Sequence, residues 1–328
     1  MSPTPHSVSP ILGSDTSTIA RWQQGIGLGC LGVMGGLLSW GWMRDAPWAF
    51  WATLGLLALH PLILALQLYL SIAVSRQRGA VLTADAWGPW RAWLGEWWVS
   101  LLRFMWWQPW CWRRWPDASA STASASATMA GRRGVVLVHG YVCNRGLWQP
   151  WMTELTRRQH PFVAVNLEPI WGSIDDYPER IDQAVQRLTD LTGLPPLVVA
   201  HSMGGLAVRA WLRATPHALA RVAHIVTIGT PHHGTWLGRW GHSTNARQMQ
   251  EHSAWLHALA QSEDANLGSH FTCWHSEGDN IVFPLGTAVL PGSQARHLPW
   301  VGHVALVDQP QVMSESLALL ATAQSPTL

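Results

Sequence analysis

The sequence predicts an α/β fold, a mostly parallel sheet with helices on both faces, preceded by a transmembrane helical hairpin. Two observations support this prediction. Uncharged apolar runs fill much of the first third of the 328-residue chain, and short apolar strands alternate with amphipathic helix patterns in the rest. Strands that are apolar throughout are typical of a parallel sheet covered on both sides.

The composition excludes several classes of protein. Apolar residues make up 48% of the chain and charged residues 12%, which excludes a disordered charged tail protein and a coiled-coil rod. All 21 basic residues are Arg, against 19 acidic ones, and so small a net charge does not favour nucleic acid as a partner. Without lysine, a Schiff-base enzyme and a lysine-containing phosphate loop are excluded. The four cysteines are scattered, so neither a disulfide framework nor a thiolate zinc site is expected.

Residues 19–75, after an N-terminal tail of residues 1–18, are predicted to form the hairpin. No charged residue lies between Arg21 and Arg44, and a second uncharged run extends over residues 46–75. About 20 helical residues cross a hydrocarbon core of about 30 Å. A cleaved signal peptide or buried helices of a soluble core fit less well, because globular helices rarely run so long without charge and a second span follows at once.

Two further features of the spans carry expectations. Arg76, Arg78 and Arg91 follow the second span, whereas the connecting loop has only Arg44 beside an aspartate, so both ends should lie on the cytoplasmic side. Glycines four residues apart in the first span predict the close approach of a neighbouring helix. They are Gly25, Gly29, Gly32 and Gly36. Gln67 in the second span should hydrogen-bond a neighbouring helix or, alternatively, mark a polar pathway.

Residues 76–116 hold much of the tryptophan and are predicted to lie in the membrane interface. On a helix from Gly88 to Pro109, one broad face is apolar, and Glu96, Ser100 and Arg103 form a narrow opposite stripe. Trp prefers the headgroup level, so a helix lying in the interface plane is expected. The alternative is a helix packed against the soluble domain. Residues 117–130, mostly Ala, Ser and Thr, are predicted to be a flexible linker.

Residues 131–328 are predicted to form the α/β domain. Strands are expected at 135–138, 162–165, 197–200, 222–228, 271–275 and 296–298, and helices at 147–158, 176–191, 206–214 and 312–320. Residues 234–261 carry Trp and Leu at helical spacing and are predicted to form a cap over the site. Such a cap either contacts lipid or is a plain helical cap with a packed core.

The most informative motif is the segment from Ala200 to Gly205, which lies between a predicted strand and a predicted helix. A Ser at a sharp strand-to-helix turn projects its hydroxyl clear of the sheet, and small residues two positions away on each side let the backbone pass. The helix that begins there directs its free amides and positive dipole end at the hydroxyl. Ser202 is therefore the predicted nucleophile, and a Ser that merely caps a helix is the alternative.

Over roughly residues 134–320 the chain resembles the α/β-hydrolase superfamily, and within it the bacterial lipases and esterases. The segments that carry the resemblance are 138–141 (Val-His-Gly-Tyr), the Ser202 turn, 229–234 (Gly-Thr-Pro-His-His-Gly) and a late Asp and His. Ala200 stands where most members have Gly. In this superfamily the acid and then the base follow the nucleophile along the chain.

That order makes Asp279 the predicted acid, with Glu277 and Asp264 as alternatives. His303 is the predicted base, and His297, inside a strand, is expected to be structural. His201 is expected to pack beneath the Ser202 turn, and His232 and His233 to have surface or loop roles.

The resemblance implies that the backbone amides of Tyr141 and Met203 form the oxyanion hole. No cofactor and no metal are expected, because the pattern of a lipase calcium site is missing after His303.

The function implied is a membrane-anchored serine hydrolase that cleaves carboxylic esters through an acyl-enzyme. Its expected partners are the lipid bilayer and an apolar acyl ester, and not nucleic acid; its oligomeric state is not predicted. The expected location is a bacterial inner membrane, with the hydrolase domain in the cytoplasm. The alternatives are an acyltransferase with the same three residues and a non-catalytic membrane scaffold with a hydrolase fold.

Overall fold

The computed structural model describes residues 16–119 and 129–322. Most of the predicted N-terminal tail and the centre of the predicted linker therefore lie outside the described residues. The beginning of the linker is tied to the domain: Asp117 pairs with the buried Arg145 at 2.5 Å, and the amide of Ala118 bonds the carbonyl of Phe162 at 2.9 Å.

Two long apolar helices open the described part of the chain. Helix α1 spans Thr18–Met43 and α2 spans Trp48–Gln77, and both are long and apolar enough to cross a membrane. They approach closely beside their connection, where a Cβ atom added to Gly41 would lie 2.7 Å from that of Ala49. The four glycines expected to contact a neighbouring helix have nothing within 4 Å of an added Cβ, so that expectation is wrong.

Helix α3 spans Gly88–Leu102 and continues through a π-helical turn, Arg103–Trp107. Its polar stripe is buried: Glu96 and Arg103 contact the α/β domain, and Ser100 contacts His60 of α2. On its apolar side, Trp90 and Trp98 are exposed. The helix thus packs against the domain through polar residues, and the location of its exposed apolar side in the membrane interface stays a prediction.

A six-stranded, wholly parallel sheet forms the centre of the domain. Its strands are β1 (Val135–Val138), β2 (Phe162–Val165), β3 (Leu197–His201), β4 (His224–Ile228), β5 (Phe271–His275) and β6 (Gln294–His297). They lie in the order β2-β1-β3-β4-β5-β6, which confirms the predicted fold class. The chain reverses its direction of progress between β1 and β3, and in such sheets sites form beyond the carboxyl ends at this point.

Helices cover both faces of the sheet. They are α4 (Gln149–Arg157), α5 (Pro178–Thr192), α6 (Met203–Ala214), α7 (Thr244–Gln248), α8 (Ala254–Gln261) and α9 (Pro310–Thr322). The face with α5, α6 and α8 packs on alternate strand residues such as Val136 and Val198; the face with α4 and α9 packs on Leu137 and Val199. Within residues 234–261, Leu256 and Leu259 of α8 belong to the core, whereas Trp240 is 55% exposed.

Trp300 joins the domain to the N-terminal helices. Its ring packs with Leu68 of α2 and Ala92 of α3, and its indole N–H donates to the carbonyl of Thr83 at 3.1 Å. A side chain at Gly88 would overlap this ring. The N-terminal helices and the α/β domain therefore share an apolar contact close to the carboxyl edge of the sheet.

Candidate active site

Ser202 occupies a strained turn between β3 and α6. Its φ of +55° and ψ of −130° lie in a region of backbone conformation that residues other than Gly rarely adopt. The neighbouring backbone leaves no room for larger residues, since a Cβ atom on Gly204 would lie 2.5 Å from the carbonyl oxygens of Val138 and His139. Ser202 thus lies at the carboxyl end of β3, in the sharp strand-to-helix turn that the motif predicted.

Asp279 and His303 form a buried pair at the same edge of the sheet. The Asp279 Oδ2 atom lies 2.8 Å from His303 Nδ1, and Oδ1 accepts from the amides of Ile281 and Val282 at 2.9 and 2.8 Å. Gly229, with φ +55°, lies against the pair: an added Cβ would be 3.0 Å from Oδ2 and 3.1 Å from Nδ1. The bond to Nδ1 leaves Nε2 as the nitrogen that is free to accept a proton.

The electrostatics of this pair favour the charged imidazole. Burial acts to lower the pKa of His303, but the charge and hydrogen bond of Asp279, and then the charge of Glu96, raise that pKa above its ordinary value. A base whose protonated form is stabilised in this way takes up a proton more readily.

His201, directly before Ser202, supports the His303 backbone. The two rings lie 4.6 Å apart between centroids, and His201 Nε2 donates to the carbonyl oxygen of His303 at 3.2 Å. Burial keeps the pKa of His201 well below its ordinary value, so this ring is neutral. His201 is buried next to the turn, as expected, and its ring and Nε2 atom contact His303.

The loop after β1 runs past Ser202. A Cβ atom added to Gly140 would lie 3.2 Å from Ser202 Oγ. Tyr141, one of the two expected oxyanion donors, is the residue that follows Gly140. His139 fixes this loop, because its Nδ1 contacts the carbonyl of Gly140 at 2.9 Å and its Nε2 accepts from the Leu167 amide at 3.0 Å. The amide of Met203, the other expected oxyanion donor, is at the first residue of α6.

The alternative acids lie elsewhere. The buried Glu277 pairs with His297 and accepts from the amide of Thr83 at 3.2 Å. Asp264 is exposed and accepts from the amide of Asn266 at 2.7 Å within a turn. Of the three candidate carboxylates, Asp279 is the one that contacts His303.

One histidine has a different environment from the one expected. His232 lies in the loop after β4, which agrees with the expected loop role, but it is buried and not at the surface, with Nε2 3.0 Å from the hydroxyl oxygen of Thr227. The reason is that the loop after β4 folds back over the sheet, where Arg209 donates to the carbonyl of His232 at 2.8 Å. His233 next to it contacts the carbonyl of Val289 at 3.1 Å.

Side chains of the N-terminal helices reach the same loops, which sequence reasoning missed. Ser71 of α2 donates to the carbonyl of Asp279 at 2.7 Å, and Gln67 accepts from the Asn280 side chain at 2.9 Å. Glu96 of α3 accepts from the amides that follow His303. The only signal in the sequence was the presence of polar residues within otherwise apolar helices. Among the described residues, no group of His, Cys, Asp and Glu side chains is arranged to hold a metal ion.

Comparisons with known proteins identify the fold. Residues 134–244 match a family model described as alpha/beta hydrolase fold. Similar solved structures include a Bacillus licheniformis lipase in mature form, with a TM-score of 0.51 and 16% identity over 58% of this chain and 92% of that one. Aspergillus fumigatus lipase B has a TM-score of 0.51 and 18% identity over 60% of this chain and 53% of that one. No curated protein sequence matches the chain. The chain therefore has the α/β-hydrolase fold, as its motifs predicted.

Proposed function

We propose that this protein is a membrane-anchored serine hydrolase that cleaves carboxylic esters. Ser202 is the nucleophile, His303 the general base and Asp279 the acid that orients it. The observation that supports this assignment best is the buried 2.8 Å contact between Asp279 and His303, at the edge of the sheet where the strained Ser202 turn lies. The lipase names of the two structural neighbours are consistent with an ester as substrate.

The proposed reaction has two steps. His303 Nε2 takes the hydroxyl proton as Ser202 Oγ attacks the ester carbonyl, and the amides of Tyr141 and Met203 stabilise the oxyanion. The tetrahedral intermediate then collapses, the alcohol leaves with the proton from His303, and an acyl-enzyme remains. Water attacks this acyl group with His303 again as the base, which releases the carboxylic acid and restores Ser202.

Membrane anchoring is supported by the surface of the N-terminal helices. Of the large apolar side chains that are exposed in the described residues, all except Trp171 and Trp240 lie between Trp22 and Trp110. An apolar surface this extensive is unfavourable in water and is typical of contact with lipid. The arginines after α2 favour an orientation in which the hydrolase domain lies on the cytoplasmic side, and we propose a bacterial inner membrane as the location.

The position of the site supports a substrate taken from the bilayer. The first turns of α1 contact the loop after β1, where Gln23 donates to the carbonyl of Val142 at 3.5 Å. The last turns of α2 contact Asp279 through Ser71. The start of the first span and the end of the second therefore contact the loops that carry Val142 and Asp279. We propose that an apolar acyl ester reaches the Ser202 hydroxyl from the membrane surface.

A fluorophosphonate probe tests the proposed chemistry. The full-length protein in detergent or lipid should be labelled and should hydrolyse some members of a panel of acyl esters, whereas Ser202→Ala should do neither. Ser269→Ala, at an exposed serine of the same domain, is the matched control and should behave like the wild type. A folded wild-type protein that neither labels nor hydrolyses any ester would favour the scaffold instead. Accumulation of a new ester when an alcohol is added would indicate acyl transfer.

A further inference from the structure

The loop that carries Asp279 is held by side chains of α2. Ser71 donates to the Asp279 carbonyl at 2.7 Å, and Ser75 accepts from the amide of Leu285 at 3.0 Å. Gln67 accepts from the Asn280 side chain, whose Oδ1 atom in turn accepts from the amide of His303 at 3.3 Å. A chain of hydrogen bonds therefore runs from α2 through Asn280 to the backbone of the base.

The loop that carries His303 is held by Glu96 of α3. Both carboxylate oxygens accept from the amide of Val304, at 3.0 and 2.9 Å, and Oε2 also accepts from Ala305 at 2.9 Å. The contact is close, because a Cβ atom on Gly302 would lie 2.5 Å from the Glu96 Cβ and Oε2 atoms. The carboxylate thus bonds both residues that follow His303.

Helix α3 also contacts the far end of the same turn. A short 3₁₀ turn, Ala305–Asp308, follows His303, and the buried Arg103 forms an ion pair with Asp308. Glu96 thus bonds amides at the start of the turn, and Arg103 pairs with the side chain at its end. Both ends of the turn after His303 are therefore held by one N-terminal helix.

We propose that helices α2 and α3 complete the catalytic centre, with Glu96 as the positioning residue for His303 and Ser71 as that for Asp279. The inference rests on the proposed roles of these two residues in ester hydrolysis. It assigns to the N-terminal helices a part in catalysis in addition to their part in anchoring.

Burying the charged carboxylate of Glu96 costs more free energy than burying a neutral side chain. The presence of a carboxylate here therefore points to a role for its charge. Burial raises the pKa of Glu96, while the amide of Ala305 and the nearby His303 act to lower it. The charged groups that face His303 are Asp279, at its Nδ1 atom, and Glu96, on the side of its backbone; the ring of His201 is neutral. Both Glu96 oxygens accept from backbone amides, which favours the ionised form, and an ionised Glu96 stabilises the imidazolium that forms when Ser202 is deprotonated.

The test compares paired variants of the full-length protein in the same detergent or lipid. Glu96→Gln is matched with Ser100→Ala, a buried residue of α3 that bonds His60 and Trp97. Ser71→Ala is matched with Thr53→Ala, a buried residue of α2 that bonds its own helix. For each variant the thermal midpoint, kcat, KM, the pH dependence of fluorophosphonate labelling, and amide exchange at residues 303–305 are measured.

Glu96→Gln should lower kcat about 10- to 100-fold with little change in KM, because a displaced catalytic group costs rate more than binding. Its acidic limb should move to lower pH, since removing the anion lowers the pKa of His303. Amide exchange at Val304 and Ala305 should become faster. Ser71→Ala should have a smaller effect of the same kind, and both controls should stay within about twofold of the wild type.

Two results would overturn the inference. One is a folded Glu96→Gln protein with wild-type kcat, an unshifted pH limb and unchanged exchange at residues 304 and 305. The other is a Glu96→Gln protein that loses its fold, which would show that Glu96 stabilises the whole domain and not the site. A wild-type protein that the fluorophosphonate probe never labels contradicts the proposed hydrolase function instead. In that case, amide exchange at residues 304 and 305 in Glu96→Gln still tests whether Glu96 holds the His303 loop.

Discussion

Helices α3 and α5 have 15 residues each, and they bury opposite kinds of side chain against the same domain. Helix α5 buries Ile181, Val185 and Leu188 and leaves its charged residues outside. Helix α3 buries Glu96 and Ser100 and leaves large apolar residues outside. An amphipathic pattern shows that a helix has two different faces but does not show which face turns inward, and the reversed orientation of α3 is what the proposed membrane contact would require.

The largest expected effect is at Asp279, where the two regions meet. Asp279→Asn should lower kcat about 10⁴-fold, because the imidazole loses its orienting anion. The thermal midpoint should change little, since the amide oxygen still accepts from the amides of Ile281 and Val282. Asp182→Asn, at an α5 carboxylate that accepts from Trp211, is the control and should leave kcat unchanged. Full activity in Asp279→Asn would mean that another carboxylate is the acid.

A matched pair of substitutions tests the contrast between the two helices directly. Leu188→Asp in α5 places a charge in the core and should cost more than about 4 kcal/mol of folding free energy. Leu94→Asp in α3, where the side chain is 49% exposed, should leave the fold intact. It should weaken membrane association by at most about 3.5 kcal/mol, the cost of Asp at the centre of a span. Thermal unfolding and liposome flotation measure the two effects. Equal loss of folding in both variants would show that both helices face a protein core.

The smallest expected effect is a displaced pH limb. Because Asp279 and Glu96 raise the pKa of His303 above 6.5, and the neutral imidazole is the base, the acidic limb of kcat/KM should have its midpoint above pH 6.5. Below that midpoint the rate should fall about tenfold per pH unit. A midpoint at or below pH 6.5 would mean that the two carboxylates together do not outweigh the effect of burial on the pKa of His303.

Local pattern was sufficient to predict the centre of the molecule. The strands at 135–138, 162–165 and 271–275 have the predicted bounds, and Ser202 lies in a strand-to-helix turn. Each of these predictions depended on a few consecutive residues, whose apolar character or small size determines their conformation wherever the rest of the chain lies.

The contacts that join the two regions were not predictable in this way. The bonds from Glu96 to Val304 and from Ser71 to Asp279 link residues 208 positions apart. Nothing near Glu96 in the sequence distinguishes a carboxylate that faces water from one that accepts buried amides. Trp300 has a positive φ of +54°, and its ring packs against α2 and α3. Its sequence neighbours alone do not predict this conformation.

The buried pair of Arg145 and Asp117 has a practical consequence for producing the enzyme. A shortened protein that begins at Met129, designed for easy purification, would retain a guanidinium in its interior and discard the carboxylate that neutralises it. It would also expose the ring of Trp300. Screening for inhibitors should therefore use nanodiscs or micelles that contain the intact polypeptide.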